Sequence, residues 1–214
     1  MRTLTRLSLL AGVAVFAQIA SATVNYTVLQ ANVGYQNGDH NDLSWQVDGN
    51  AITFTSIPPV GVGDGFFIGN GHAAATVTII YTVTSDKAIN GLDLIFNGDA
   101  EGKAQLGYTE LVENWDGQNS GAVIASTSGF YKGGGLTGGA DGGFSNDTFL
   151  SFANGPVFSY KVKKTFTLLD LDGQDPAASS VTLGLVEQNA VPEPASMGAL
   201  AVGALGLLAR RRRK

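Results

Sequence analysis

Short stretches rich in β-branched residues recur through the middle of this chain, each bounded by turn-forming residues. Residues 76–84 are β-branched almost throughout, and residues 51–57 alternate apolar and polar side chains. Asn-Gly and Asp-Gly pairs, such as Asn37-Gly38 and Asp48-Gly49, favour the tight turns that join antiparallel strands. Because no amphipathic helix pattern interrupts residues 23–190, the pattern predicts an all-β fold.

About ten predicted strands with regular turns indicate an antiparallel β-sandwich, jelly-roll-like or Ig-like, with a closed barrel as the alternative. Residues 129–147 form a glycine-rich connection, and a connection of that length predicts a functional or disordered loop. The predicted strands are residues 24–30, 43–47, 51–57, 76–84, 89–96, 104–113, 122–127, 148–153, 157–169 and 180–187.

The N-terminal residues are typical of a signal peptide. Arg2 and Arg6 precede an apolar run at residues 7–17, and Ala20-Ser21-Ala22 gives the small-x-small pattern of a cleavage site. We predict that residues 1–22 direct the chain to the export machinery and that signal peptidase cuts after Ala22. An N-terminal membrane anchor is the alternative, which the short apolar run disfavours.

The C-terminal residues, 191–214, fall into three parts. Pro192-Glu193-Pro194 is followed by an uncharged stretch, residues 195–209, and by the basic residues 210–214. The prolines predict an extended segment, which we expect to be solvated and accessible to a processing enzyme. The uncharged stretch predicts a transmembrane helix of about 22 Å, short of the ~30 Å hydrocarbon core, whose basic end snorkels at the cytoplasmic side.

This three-part tail resembles the PEP-CTERM sorting signal of bacterial envelope proteins, which an exosortase processes. The resemblance implies a cut near Pro192, Glu193 and Pro194, after a transient stay of residues 195–209 in the inner membrane. It also implies a Gram-negative-type bacterium that makes exopolysaccharide, with the body at the cell surface or in an extracellular biofilm matrix. A permanent membrane anchor is the alternative, and the short glycine-rich span favours a removable signal over it.

Without these two ends the body is strongly acidic and contains neither arginine nor cysteine. Seven of the 13 Lys and Arg residues and one of the 18 acidic residues lie in the ends, so six lysines and 17 acids remain and the body's net charge is near −11. That balance argues against nucleic-acid binding, which needs Lys or Arg on phosphates. Stability must come from packing or bound ions, since no disulfide forms.

Asp170, Asp172 and Asp175 form the best local motif for a ligand. Carboxylates at such spacing beside Gly173 suit a hard cation, so they predict a calcium site, the one cofactor that the sequence suggests. The position of the distal bidentate glutamate of an EF-hand is occupied by Val181. The alternative is an ordinary Asp-rich turn.

Exposed aromatic rings stack on sugars, and Trp45, Trp115 and Tyr131 are the candidates for an exopolysaccharide partner. The alternative is that these rings belong to the core, where aromatics supply much of the buried area.

Catalytic motifs are missing from the sequence. Neither His40 nor His72 lies in a nucleophile or zinc motif. Glu110 and Glu113 are three residues apart on one predicted strand and face opposite sides, so they do not form a glycosidase pair. We therefore expect a non-enzymatic structural or adhesive protein, with a carbohydrate-binding module as the alternative and a secreted hydrolase as the third reading.

Overall fold

The computed structural model describes residues 22–36, 38, 40–56, 66–68, 74–171 and 179–193. Nearly all of these residues lie in one sheet of ten antiparallel strands. The elements are β1 Val24–Tyr35, β2 His40–Asp48, β3 Ala51–Ser56, β4 Phe66–Ile68, β5 Ala74–Glu101, β6 Ala104–Trp115, β7 Ser120–Lys132, α1 Gly134–Thr137, β8 Gly142–Ser151, β9 Val157–Asp170 and β10 Ser180–Pro192.

Strand β5 is 28 residues long and belongs to two layers. Up to Thr84 it pairs with β1 on one side and β9 on the other. From Ile89 onward it pairs with β10 and, further along, with β8. The register with β9 shifts between Thr84 and Ile89, so the strand passes from one layer to the other there. The sequence predicts two separate strands in this region, and the structure joins them.

The sheet folds over itself into a β-sandwich, which confirms the predicted fold class. The first layer runs β1–β5–β9–β6–β7, and the second contains β8, the end of β5, β10 and the short strands β3 and β4. Strand β2 pairs with β1 at its start and with β3 along the rest, so the β2–β3 hairpin closes one side. On the other side the edges β7 and β8 face each other, and the Ala153 N–H donates to the Ile124 carbonyl at 2.8 Å.

Rings from both layers meet in the core. Phe96 of the second layer contacts Tyr108 and Phe166 of the first, with ring centroids 4.9 and 5.2 Å apart. Phe54 of β3 packs on Tyr81 of β5 at 5.7 Å. Phe54, Tyr81, Phe96 and Phe166 are at most 1% exposed, and burial of each phenylalanine contributes about 1.5–3 kcal/mol.

Strand β9 alternates between core and solvent, as strand geometry requires. Tyr160, Val162, Lys164, Phe166 and Leu168 are each at most 1% exposed. The intervening side chains, including the exposed Lys163, lie on the outer face. A lysine therefore occupies a core position between two apolar neighbours.

The glycine-rich connection is shorter than the sequence predicts. β7 continues to Lys132 and β8 begins at Gly142, so residues 133–141 alone form the loop. Asp141 Oδ1 holds this loop by accepting the N–H groups of Gly102 and Gly134, each at 2.7 Å. The prediction was wrong because pairing with β5 keeps glycines in a strand despite their low propensity.

The two predicted terminal segments lie outside the described residues: the signal peptide except Ala22, and the transmembrane helix at residues 195–209. Within the described ranges, the structure contains no helix with the length and apolar character needed to cross a membrane. Both segments stay predictions.

Candidate functional site

The last strand carries the beginning of the Pro-Glu-Pro segment. Val191 pairs with Gly91 and Pro192 with Ile89 on β5. The backbone N–H of Glu193 donates to the Ala88 carbonyl at 2.8 Å. The segment is extended, as its prolines require, but through Glu193 it is attached to the sheet instead of standing free in solvent. Pro194 lies outside the described residues.

A pocket of about 350 Å³ opens at the end of the first layer, where the β6–β7 hairpin lies beside the start of β9. It combines two aromatic side chains with several polar ones. Among the residues that line it are Asn114, Trp115, Asp116, Asn119, Ser120 and Phe158. Apolar walls with a few placed polar groups are typical of small-molecule sites.

Trp115 is held in place by a lysine. It is the last residue of β6, and Lys161 Nζ lies 5.4 Å from its ring centroid. An ammonium group at that distance is attracted to the negative face of the indole and helps to fix the ring. Phe158 is 59% exposed, so it presents an apolar surface at the pocket.

Asp116 shapes the rim of the pocket. Its Oδ1 accepts the backbone N–H groups of Asn119 and Gln118 at 2.6 and 2.8 Å. These hydrogen bonds lower the pKa of Asp116, so its carboxylate stays ionised at neutral pH. Gly117 follows with φ 99°, a left-handed conformation that glycine adopts without strain. The carboxylate thus rigidifies the hairpin and leaves a negative charge at the rim.

The structure does not bring the three predicted sugar-stacking rings together. Trp45 lies on β2, is 51% exposed and does not line the Trp115 pocket. Tyr131 stacks on Phe144 at 4.4 Å and on Tyr108 at 6.1 Å, within an aromatic cluster between the layers. Of the three, Trp115 alone lines this pocket.

Phe158 has no counterpart among the sequence-based candidates. Alternation along β9 assigns it to the same face as the buried Tyr160. Pairing of β9 with β6 ends at Tyr160, so Phe158 extends past the neighbouring strand and is exposed. Sequence periodicity carries no signal for where that pairing ends.

The structure describes one of the three predicted calcium ligands, Asp170. Asp170 ends β9 opposite Ala104 and is 6% exposed. Asp172 and Asp175 lie outside the described residues. Among the residues that the structure covers, no group of three or more His, Asp or Glu side chains is placed to hold a metal ion. Calcium binding therefore stays a prediction.

Glu110, Lys164 and Gln188 form a polar cluster in the core. Glu110 Oε2 lies 3.2 Å from Lys164 Nζ, and Glu110 Oε1 accepts Gln188 Nε2 at 2.7 Å. All three residues are at most 2% exposed, so the cluster is closed to a dissolved substrate. Glu113 pairs in register with Lys161, whose side chain reaches Trp115, so the two glutamates are not placed as a glycosidase pair.

Residues 190–214 match the model of the PEP-CTERM protein-sorting motif, and the predicted resemblance of the tail is confirmed. The match is confined to this segment. It supports an exported protein that an exosortase sorts. A search of curated proteins finds no match for the chain.

Solved structures give weak likenesses to the body. One is the enzymatically active domain of tailspike protein 4 from bacteriophage CBA120, which is 14% identical with a TM-score of 0.33. The alignment covers 82% of this chain but only 20% of the tailspike chain. Another is a family 11 carbohydrate-binding module from Clostridium thermocellum in complex with a β-1,3-1,4-mixed-linked tetrasaccharide. It is 9% identical with a TM-score of 0.27, and the alignment covers 83% of this chain and 94% of the module. A family 29 carbohydrate-binding module from Piromyces equi is 10% identical over 79% and 93% of the two chains, with a TM-score of 0.22.

Proposed function

We propose that this exported, exosortase-sorted protein has a non-enzymatic structural or adhesive role in the cell envelope or extracellular matrix. The observation that carries the proposal is the direct passage from β10 into the sorting motif. Since no linker separates them, processing near the motif leaves the folded sandwich as the delivered product. A compact body with its Glu110–Lys164 pair closed inside suits a structural role better than catalysis.

The charges on the two outer faces support adhesion. Lys161 and Lys163 lie on the outer face of the first layer. Asp93 and Asp147 lie on neighbouring strands of the second layer, and burial together with the charge of Asp147 raises the pKa of Asp93. Lysines on one outer face and carboxylates on the other favour contact between copies of the sandwich or with charged matrix polymers.

We expect the mature protein from the native bacterium to lack the basic end of the tail. Replacing Glu193 and Pro194 with alanine should retain residues 195–214 and shift the protein to the membrane fraction, because the exosortase loses its motif. Mass spectrometry of the C-terminal peptide measures both effects. Glu187→Ala, a change on the same strand outside the motif, serves as the control and should be processed normally. An intact Lys214 in the mature surface protein would contradict the sorting proposal.

A second candidate function is binding of exopolysaccharide in the Trp115 pocket. It is supported by the lining of the pocket, which combines two aromatic side chains, Trp115 and Phe158, with amide and hydroxyl groups at the end of the hairpin. Sugars present an apolar C–H face and a rim of hydroxyls, which match these two kinds of group.

We expect Trp115→Ala to weaken binding of an exopolysaccharide fragment about tenfold, since loss of a central aromatic contact costs about 1–2 kcal/mol. A glycan array identifies the fragment, and titration calorimetry then measures the change in Kd. Trp45→Ala is the matched control, because it removes an exposed tryptophan outside the pocket. Equal affinity of the wild type and Trp115→Ala would eliminate the pocket as the binding site.

A further inference from the structure

Three polar side chains from three strands meet between the layers. Lys164 on β9 and Glu110 on β6 are register partners in the first layer, and Gln188 on β10 faces them from the second. The Glu110 carboxylate bridges the other two, with Oε2 at 3.2 Å from Lys164 Nζ and Oε1 at 2.7 Å from Gln188 Nε2. An amine and a side-chain amide therefore share one carboxylate across the sandwich.

Buried polar atoms that the structure describes in this part of the core lack hydrogen-bond partners. Among the described residues, the buried oxygens of Gln188 (Oε1), Tyr81 (Oη) and Tyr160 (Oη) have no hydrogen-bond partner. Each buried polar atom without a partner costs free energy, and so does each buried charge. Non-covalent stability alone gives no reason for keeping such an arrangement in a core.

The surroundings also prepare the groups for reaction. Burial lowers the pKa of Lys164, partly offset by Glu110, so the amine gives up a proton more readily than it does in water. Burial raises the pKa of Tyr81, and the charge of Glu110 adds to this effect. Burial also raises the pKa of Tyr160, followed by the charges of Tyr26 and then of Glu110. Their hydroxyls therefore keep their protons.

We propose that Lys164 and Gln188 form an isopeptide bond that ties β9 to β10 across the sandwich. The lone pair of Nζ attacks Cδ of Gln188, and Glu110 accepts a proton from Nζ. Glu110 then gives this proton to Nε2, the Cδ–Nε2 bond breaks and ammonia leaves. One amide replaces another, so no oxidant or reductant is needed.

The bond would take the place of a disulfide in a chain that contains no cysteine. It would close the loop between residues 164 and 188 and restrict the unfolded chain, as any covalent crosslink does. It would also anchor β10, the strand that leads into the sorting motif. This inference is independent of the proposed function.

The test uses the full chain, expressed with both ends and purified in detergent, with circular dichroism to confirm the β fold. Cleavage at Asp170, Asp172 and Asp175 separates Lys164 from Gln188 unless a bond joins them. We expect mass spectrometry to find the two peptides joined, with a mass lower than their sum by one ammonia. Asn-Gly succinimides also lose ammonia, so joining of the two peptides is the required readout. Separate peptides from folded wild-type protein would overturn the proposal.

Two variants test the chemistry. Gln188→Leu removes the electrophile, and Glu110→Gln keeps the shape but removes the proton carrier, so both should give unjoined peptides. Lys163→Gln, which alters the neighbouring exposed lysine, should leave the joined peptides unchanged. Joined peptides in folded Glu110→Gln protein would overturn the assigned role of Glu110. If a variant does not fold, the wild-type measurement still decides whether the bond exists.

Discussion

Replacing Glu110 with alanine is expected to lower the free energy of unfolding by about 3–5 kcal/mol, since it leaves a fully buried lysine without its counter-charge. The change also removes the acceptor of the 2.7 Å hydrogen bond from Gln188 Nε2. If the Lys164–Gln188 bond forms in the wild type, its loss adds to this effect. Urea unfolding of residues 22–193, followed by tryptophan fluorescence, measures the difference.

Glu113→Ala is the matched control, because it removes a glutamate on the same strand that is not in the buried cluster. It should change stability by no more than about 0.5 kcal/mol. Combining Glu110→Leu with Lys164→Met should recover much of the loss, because apolar residues of similar volume replace buried ion pairs well. A loss below about 1 kcal/mol in Glu110→Ala would show that the ion pair contributes little.

Phe96→Ala is the second change with a large expected effect. The Phe96 ring contacts Tyr108, Tyr131, Phe144 and Phe166, with centroid distances from 4.9 to 6.3 Å. Its removal leaves a cavity at the centre of the core, where the strands on both sides limit collapse. We expect a loss of about 3–5 kcal/mol in the free energy of unfolding, measured by the same urea method.

Phe149→Ala is the control for Phe96→Ala. Phe149 lies on β8 beside β5, but its ring is 52% exposed and covers Gly91 on the outer face. Its removal should cost less than about 1 kcal/mol, because little apolar area leaves the core. Similar losses for the two variants would mean that the core is not centred on Phe96.

Local patterns predicted most of the strands because alternation and turn residues report on neighbours in sequence. They were insufficient for β5, where residues 85–88 carry the chain from one layer to the other within a single strand. They also missed β4, which pairs with β10 over three residues. Three residues are too few to show a period, so such a strand is found only through its partner.

The candidate site was likewise predicted only in part from the sequence. The sequence indicated Trp115 as one of several exposed rings, but the pocket depends on Phe158, Lys161 and the β6–β7 hairpin, which are distant in sequence. The sequence likewise marked Pro192 and Glu193 as a processing motif. Their attachment to β5 follows from the register of β10, which no local pattern reports.

The sequence by itself determined the all-β class, the acidic cysteine-free body and the sorting tail, since each depends on composition or on residues close together in the chain. The tertiary structure alone decided that Lys164 points inward between Glu110 and Gln188 while its neighbour Lys163 faces solvent. It also decided that the sandwich ends inside the sorting motif. These outcomes depend on which strands pair and in which register, and long-range packing sets both.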